Sequence, residues 1–223
     1  MRQLLCLVAL LMLSACGAPA ARKDQAENSA WRAAAPRSIL VVPVVNKSLD
    51  VDAPNYVLAT LPIPLAEKGY YVFPVNTTKY VLEQEGMYEG EKIHEQAPAV
   101  LARLFDADAV LFVTINRWDA QYVLLTTTVT VEFEYRITGR DGAELWREKR
   151  SMRYQPQSNS SGPPLARLVG MLVEAAITRA APNYMPLTRS AHRSAFAWGD
   201  KALPDGPYRP AAQAAESAAG SSR

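Results

Sequence analysis

Few residues in this chain could perform acid-base, nucleophilic or metal chemistry. The two histidines, His94 and His192, do not form the His-x-x-x-His pair that is typical of zinc sites. The sequence contains neither the Gly-x-Ser-x-Gly elbow of hydrolases nor a glycine-rich phosphate loop that ends in Lys and Ser or Thr. We therefore expect no catalytic residue, no bound metal and no non-covalent cofactor, and we expect that the protein is not an enzyme.

Two Asp-x-Asp pairs remain as candidates for cation binding. They are Asp50 with Asp52, and Asp106 with Asp108. Aspartate at the ends of helices and strands commonly hydrogen-bonds the neighbouring backbone, and this turn chemistry requires no metal. We therefore predict that both pairs form structural turns.

The amino terminus carries the strongest chemical signal. Arg2 precedes an apolar block from Leu4 to Leu13, which is typical of a secretory signal peptide and too short for a spanning helix of roughly 20 residues. The residues that close it, Leu13-Ser14-Ala15-Cys16, resemble the lipobox of bacterial lipoproteins. This resemblance implies that residues 1–15 are removed by cleavage between Ala15 and Cys16. It also implies that Cys16 carries covalent diacylglyceryl and N-acyl chains.

Lipid chains on Cys16 would hold the mature protein on a membrane, because each buried methylene contributes about 0.8 kcal/mol and two or more chains give stable attachment. Gly17 follows, instead of the aspartate that favours inner-membrane retention in enterobacterial lipoproteins. We therefore expect the periplasmic face of the outer membrane, with surface exposure as the alternative. Cys6 leaves with the signal peptide, so the mature chain can form no disulfide.

Composition indicates one domain of ordinary size within the 223 residues. The formal charge of +2 comes from 24 basic and 22 acidic residues without a basic stripe, which disfavours nucleic-acid binding. Residues 16–35 lack apolar periodicity and predict a flexible tether, although Trp31 could pack on the domain or the bilayer interface. We place the domain at residues 36–188 and a largely disordered tail at 189–223, in which residues 196–210 either dock as an irregular strap or bind a partner.

Three nearly continuous apolar segments predict strands that are covered on both faces. Pro43 lacks an N–H for the sheet and predicts an interruption near the end of the first strand, whereas Pro62 and Pro64 predict a kinked helix. Alternation of strands and helices at this spacing predicts a right-handed parallel crossover. In order, the predicted elements are strand 38–45, helix 54–68, strand 70–75, helices 77–84 and 95–105, and strand 109–116.

Alternating apolar and polar residues from Val123 to Arg136 predict a strand with one buried face. A turn at residues 139–142 leads into a second strand that ends near Tyr154. Pairing Thr138 with Ala143 predicts four cross-strand pairs: Tyr135 with Trp146, Val129 with Met152, Glu134 with Arg147, and Glu132 with Lys149.

A helix over residues 163–180 would then cover the sheet. The predicted fold is a mixed α/β sandwich of two or three layers. It has a parallel βαβ half, then a long antiparallel hairpin, then a covering C-terminal helix.

Several segments resemble the TolB amino-terminal-domain-like lipoproteins. Ile39–Ser48 resembles the opening strand and polar turn of that group, while Pro64–Val75 and Ala107–Leu111 resemble one branch, a family of Gram-negative lipoproteins of unknown function. The similarity spans about Pro36 to Leu187. The wider group includes the curli secretion pore lipoprotein and lipoprotein activators of cell-wall synthases. The resemblance therefore implies protein binding and oligomerisation on the envelope and supplies no catalytic residues.

The leading hypothesis is a protein-interaction and oligomerisation module in an envelope transport or secretion assembly. It would form a homodimer or larger homo-oligomer, or bind other envelope lipoproteins or transport components, without nucleic acid. The candidate partner contacts are Asn46, Lys47, Ser48 and Trp198. The alternatives are a transporter auxiliary that holds a lipid or peptide beside the Pro62–Pro64 helix, and an activator of a cell-wall synthase.

Overall fold

The computed structural model describes residues 29–123, 126–154, 183–198 and 201–210. These residues form a mixed sheet with helices packed against it, preceded by a helical segment over residues 29–34. The strands are β1 (Ser38–Val41), β2 (Val45–Asn46), β3 (Tyr71–Val72), β4 (Ala109–Val123), β5 (Thr126–Gly139) and β6 (Glu144–Tyr154). The helices are α1 (Ala53–Thr60), α2 (Pro62–Glu67), α3 (Val75–Gln84), α4 (Gly90–Glu95), α5 (Pro98–Phe105) and α6 (Met185–Ala197).

The sheet has the order β3-β1-β4-β5-β6, and β2 also pairs with β4. β1 is parallel to β3 and β4, and β2 is parallel to β4. The pairs β4–β5 and β5–β6 are antiparallel. The predicted mixed α/β fold, with a parallel half and a long antiparallel hairpin, is therefore confirmed.

The third predicted strand is longer than the sequence indicated. It continues past Asn116 to Val123, so that Val123 belongs to β4 and not to the following strand. A β-bulge between Ile115 and Arg117 lies where the strand changes from apolar to more polar residues. There Arg117 donates two hydrogen bonds to the Asp119 carboxylate, at 3.0 and 3.1 Å, which satisfies both charges within the strand.

Pro43 interrupts the first strand, as predicted. β1 ends at Val41, and pairing with β4 resumes only at Val45. Pro43 has no N–H to donate, but its carbonyl accepts a hydrogen bond of 3.1 Å from His94 Nε2. α4 packs closely against this break, because a Cβ on Gly90 would lie 2.3 Å from the Val44 carbonyl oxygen.

The core lies on both faces of the parallel half of the sheet. One cluster joins alternate sheet residues to side chains from α1, α2 and α6. The other joins the opposite sheet residues to side chains from α3, α4 and α5. This arrangement makes three layers at β1 and β4. On β5 the residues 131, 133, 135 and 137 are buried, which places the antiparallel half against α6 as predicted for a strand with one covered face.

The predicted register of the β5–β6 hairpin is wrong by two residues. Ile137 lies opposite Trp146 and Val131 opposite Met152, whereas Tyr135 lies opposite Glu148. Two local features account for the shift: the turn is one residue longer, with Thr138 opposite Glu144, and a bulge at Leu145 adds another. A shift by two preserves alternation, so the buried and exposed faces were predicted correctly.

The residue pairs on the exposed face of this hairpin also differ from the predicted pairs. Glu134 lies opposite Lys149, and Glu132 lies opposite Ser151 instead of Lys149. Glu134 nevertheless forms ion pairs with both basic residues, with Arg147 at 2.7 Å and with Lys149 at 3.2 Å. Burial alone would raise the pKa of Glu134, but the hydrogen bonds and charges of these two residues outweigh it and lower the pKa.

The predicted domain boundary at residue 188 is wrong, because α6 crosses it and runs to Ala197. His192, Ala195 and Phe196 are fully buried on α6, so packing against the sheet stabilises a segment that is only weakly apolar in sequence. Residues 201–210 dock beyond it as an irregular strap. Leu203 is buried in the core, which fits the docked alternative of the prediction. The predicted helix 163–180 and the tail from residue 211 lie outside the described residues.

The amino-terminal turn also belongs to the domain rather than to the tether. The Trp31 side chain is buried and makes an edge contact with the Tyr70 ring at 5.9 Å. The Tyr70 hydroxyl donates to the Pro204 carbonyl of the strap at 2.6 Å. Of the two positions predicted for Trp31, the structure shows packing on the domain.

Candidate docking surface

The loop over residues 46–52 follows β2 at the carboxyl end of the parallel strands. The Asn46 side chain organises it: Nδ2 donates to the Asp50 carbonyl at 2.8 Å, and Oδ1 accepts from the Ser48 N–H and hydroxyl at 3.0 and 2.7 Å. The Lys47 N–H donates to the Ile115 carbonyl at 2.9 Å, which fastens the loop to β4. These bonds hold the loop in one conformation.

Asp50 connects this loop to the core. One carboxylate oxygen accepts from the Asp52 N–H at 2.9 Å, and the other accepts from the Trp118 indole N–H at 3.1 Å. This geometry matches the turn that the sequence predicted for the first Asp-x-Asp pair. The Asp50 carboxylate is thus occupied by structural hydrogen bonds.

The residues on either side of Asp50 face solvent. Leu49 is fully exposed and Val51 is 83% exposed. We call these two side chains the apolar tip. Binding residues are disproportionately found on loops that a rigid scaffold positions, so these two neighbouring aliphatic side chains form a candidate contact site. Sequence reasoning selected this loop but missed its apolar members, whose only signal was their alternation with two aspartates.

Three stacked aromatic rings lie beneath the tip. Trp118 lies between Tyr56, at 6.1 Å, and Tyr184, at 4.5 Å. Burial raises the pKa of Tyr184 to about 12, and the charges of Asp50 and Asp119 add to the effect. Tyr56, on α1, is partly exposed.

The four predicted partner contacts are not brought together. Asn46 and Ser48 are engaged within the loop, where they position it, and Lys47 is exposed beside the tip. Trp198 is 63% exposed, but it follows the carboxyl end of α6. Tyr184, next to the tip, precedes the other end, so about 20 Å of helix separates the two regions. These four contacts remain predictions.

The other candidate residues have structural surroundings. Asp106 adopts a left-handed conformation and ends α5, as a turn residue does. Asp108 accepts hydrogen bonds from the Arg37 and Ser38 backbone N–H groups at 3.1 and 3.2 Å. Burial would raise the pKa of Asp108, but these bonds outweigh it and lower the pKa. Within the described ranges no group of three or more metal-ligating side chains comes together.

Both histidines are drawn into the interior. His94 donates to Pro43, and burial lowers its pKa to about 4. His192 is fully buried, with Nδ1 at 2.7 Å from the Tyr135 hydroxyl. Burial lowers the pKa of His192 to about 3 and raises that of Tyr135 well above its usual range. His192 is therefore a neutral ring that shares one hydrogen bond with the Tyr135 hydroxyl.

An apolar groove of about 390 Å³ lies beside the start of α6. Its walls come from β5, the end of β6, the segment before α6 and the first two turns of α6. The lining residues are Val129, Tyr154, Asn183, Pro186, Leu187 and Ser190. The Pro62–Pro64 helix does not contribute to this groove. In the part of the chain that is described, no helix is long and apolar enough to cross a membrane.

Comparison with known proteins identifies the family. Residues 26–195 match the family described as "Putative lipoprotein GNA1162-like". The "Putative lipoprotein NMB1124/NMB1162" of Neisseria meningitidis serogroup B is 36% identical over 176 residues, which are 78% of this chain and 79% of that protein.

Two solved structures extend the comparison. The crystal structure of lipoprotein GNA1162 from Neisseria meningitidis is 38% identical, with a TM-score of 0.53, and covers 66% of this chain and 100% of the other. The PelC dodecamer from Paraburkholderia phytofirmans is 15% identical and covers 65% of this chain and 86% of the other. Its TM-score is 0.37, and we draw no conclusion about assembly from it. The match over residues 26–195 and the two Neisseria relatives together show that the chain belongs to the GNA1162-like lipoprotein family.

Proposed function

We propose that the protein is an outer-membrane lipoprotein, anchored through Cys16 and facing the periplasm, that serves as a protein-interaction and oligomerisation module of an envelope transport or secretion assembly. Its family of lipoproteins and the lipobox at Leu13–Cys16 support the anchor. Gly17 supports the outer membrane as its location. In this proposal the protein acts by binding and not by catalysis.

The apolar tip is the single observation that carries the binding role. Burying an aliphatic side chain such as Leu49 or Val51 contributes about 1.5–3 kcal/mol relative to leaving it in water. A mobile loop would lose part of this gain to ordering on binding. Here Asn46 and Asp50 already hold the loop through hydrogen bonds, so the tip is pre-organised for a partner with an apolar groove.

The location of the tip supports a partner away from the anchoring membrane. The tether leads into the amino end of β1 at Ser38, whereas the loop leaves β2 after Asn46 at the carboxyl end. Residues 38–46 run along β4 past the break at Pro43 and advance by about seven strand residues, which separates these ends by about 23 Å at roughly 3.3 Å per residue. A lipid anchor at one end therefore leaves the tip at the other.

The titratable groups with large pKa shifts favour binding over catalysis. His192 and Tyr135 are fully buried against each other, and His94 is engaged by the Pro43 carbonyl. A general base must reach a substrate proton within hydrogen-bond distance. Neither histidine opens onto the apolar tip in this structure, and we assign both to packing.

Crosslinking in living cells tests the proposal. A photo-reactive amino acid at Leu49 should crosslink an envelope protein, which mass spectrometry identifies. The same group at Ile63, an exposed aliphatic residue on α2, is the matched control and should give much less of that product. The partner is then purified, and Leu49→Asp should weaken its binding at least tenfold, because a charge would be buried.

Asp50→Ala should weaken binding less than Leu49→Asp, because it loosens the loop but leaves the apolar tip. Equal crosslinking from Leu49 and Ile63, or unchanged affinity in Leu49→Asp, would contradict the docking role. A cell-wall synthase as the crosslinked protein would replace the transport assembly with the activator function.

The groove beside α6 favours a second candidate, a ligand-binding auxiliary of a transporter. Val129, Pro186 and Leu187 give it apolar walls, and Asn183 and Ser190 place polar groups among them. Such a combination suits a small amphiphile. Native mass spectrometry of the purified protein should then show a bound small molecule that Leu187→Trp, which fills the groove, removes. A ligand-free spectrum, with no thermal shift upon addition of envelope lipids, would exclude this candidate.

A further inference from the structure

β4 and β5 continue together beyond the parallel half of the sheet. The last pairing of β4 with β2 is Asn46 with Ile115, and the Lys47 N–H closes this edge at the Ile115 carbonyl. From there β4 pairs with β5 as far as Val123 with Thr126. We call residues 119–123 the β4 edge. In the described parts of the chain no other strand pairs with its outer side.

The β4 edge lacks the features that protect exposed strands. Natural edge strands avoid pairing with other chains by means of lysine, proline, inward charges or short length. Residues 120–131 contain no charged residue and no proline or glycine, and they are rich in β-branched residues. Asp119 is the only charge on the β4 edge, and Arg117 neutralises it in a bidentate pair. Left uncovered, such a strand is an aggregation hazard.

Local contacts also stiffen this strand. Gln121 Nε2 donates to the Asp119 carboxylate at 2.9 Å, so that Arg117, Asp119 and Gln121 form one hydrogen-bonded row. At its base, Trp118 binds Asp50 and lies beneath the apolar tip. The β4 edge and the tip are therefore neighbouring parts of one surface.

We propose that the β4 edge pairs antiparallel with the same edge of a second copy of this chain, about a two-fold axis at Gln121. This register places Gln121 opposite its equivalent and Asp119 opposite Val123, so no like charges meet across the axis. A two-fold contact uses the same surface on both copies, which suits a strand whose sequence is compatible with itself. The pairing gives a structural form to the oligomerisation part of the proposed function, on which it rests.

Disulfide trapping tests the register. The chain from Gly17 onward, with Cys16 omitted, keeps every described residue and contains no cysteine. In the proposed dimer, Gln121→Cys places two thiols on directly opposite residues, whose Cα atoms are about 4.5–5.5 Å apart, within the range of a disulfide. Mild oxidation should therefore convert this variant to a covalent dimer.

The neighbouring positions provide matched controls. Asp119→Cys alone and Val123→Cys alone should remain monomeric on gels, because their equivalents lie about 14 Å apart along the strand. A mixture of these two variants should crosslink, because residue 119 of one copy faces residue 123 of the other. Self-crosslinking of Asp119→Cys, or no crosslinking of Gln121→Cys, would overturn the proposal.

A charge test at the axis measures the same contact without oxidation. Gln121→Lys places two ammonium groups opposite each other, and should raise the dimer dissociation constant at least tenfold by light scattering or sedimentation. Gln121→Thr, which stays neutral and suits a strand, should change it less than threefold. A monomeric parent protein at all concentrations, or a dimer insensitive to Gln121→Lys, would overturn the pairing. Neither result would alter crosslinking of a different protein from Leu49, so this proposal and the docking role can fail separately.

Discussion

At the scale of single residues, side chains that look chemically active position other groups. Asp50 resembles a cation ligand in sequence, but it orders the loop through Asp52 and holds Trp118. Asp108 likewise accepts hydrogen bonds from the start of β1. Turn chemistry was predictable for Asp50, which accepts from the Asp52 N–H, because aspartate binds nearby backbone. The long-range partners of both aspartates, such as Trp118 for Asp50, were not predictable, because 68 residues separate these two in the chain.

The buried His192 predicts a dependence of stability on pH. Its pKa is about 3 in the folded protein and about 6.5 in an unfolded chain. The unfolded state therefore binds more protons between these values, and stability falls as the pH drops from about 6.5 toward 3. Lowering the pH from 7 to 4 should cost about 3 kcal/mol from this residue alone, at about 1.4 kcal/mol per pH unit. Urea unfolding at both pH values measures the loss.

His192→Gln serves as the control, because a glutamine amide can hydrogen-bond the Tyr135 hydroxyl but does not titrate. It should be less stable at pH 7 and lose about 3 kcal/mol less than the parent protein upon acidification. The carboxylates with lowered pKa, such as Asp205, contribute equally to both proteins and cancel in the comparison. Parallel pH profiles for the two proteins would show that His192 becomes charged without cost.

At the scale of elements, alternation of apolar residues determined which faces are buried, and local turn geometry determined the register. The period of two is an intrinsic property of a strand, so residues 131–137 were assigned to the correct face. The longer turn and the bulge at Leu145 together shift the register by two residues, and the period of two does not encode either feature. α6 shows the converse: its sequence is weakly apolar, and the sheet supplies the surface that makes it a helix.

Replacement of Trp146 tests this hairpin. Its ring is buried beside Phe196, and its indole N–H donates to the Lys201 carbonyl at 2.8 Å. Trp146→Ala should cost about 3–5 kcal/mol of unfolding free energy, because it leaves a cavity and an unpaired carbonyl. Trp198→Ala, at an exposed tryptophan, is the matched control and should change stability by about 0.5 kcal/mol or less. Similar losses for both variants would place the two rings in equivalent surroundings and contradict the packing.

At the scale of the whole molecule, the amino end of β1 and the apolar tip lie at opposite ends of the parallel strands. The chain enters at the amino end of β1, and the strap holds this end through the Tyr70 hydroxyl and through Tyr208, which accepts from Arg37 at 2.9 Å. Gly206 permits the close approach, because a Cβ there would lie 2.3 Å from the Gly69 carbonyl oxygen. The strap at the carboxyl-terminal side of the described chain thus packs beside the start of β1.

Cys16→Ala tests the anchor. Without the thiol no diacylglyceryl group can be attached, so the precursor should accumulate uncleaved and the protein should lose its acyl label. Cys6→Ala is the control, since it changes a cysteine of the apolar block and should leave processing and membrane retention normal. The readouts are the mass of the purified protein and incorporation of labelled palmitate. A cleaved, membrane-retained Cys16→Ala protein would contradict lipidation at this residue.

The sequence by itself determined the mixed α/β class, the interruption at Pro43, the buried faces and the family resemblance. Each of these depends on local composition, spacing or backbone chemistry that a short segment carries alone. Only the tertiary structure decided the hairpin register, the helix at 185–197 and the apolar tip. These features depend on partners distant in the chain: β5 and β6 for α6, and Ile115 and Trp118 for the loop that exposes Leu49. The physical reason is that burial and exposure are decided by contacts between elements, which local sequence constrains but does not contain.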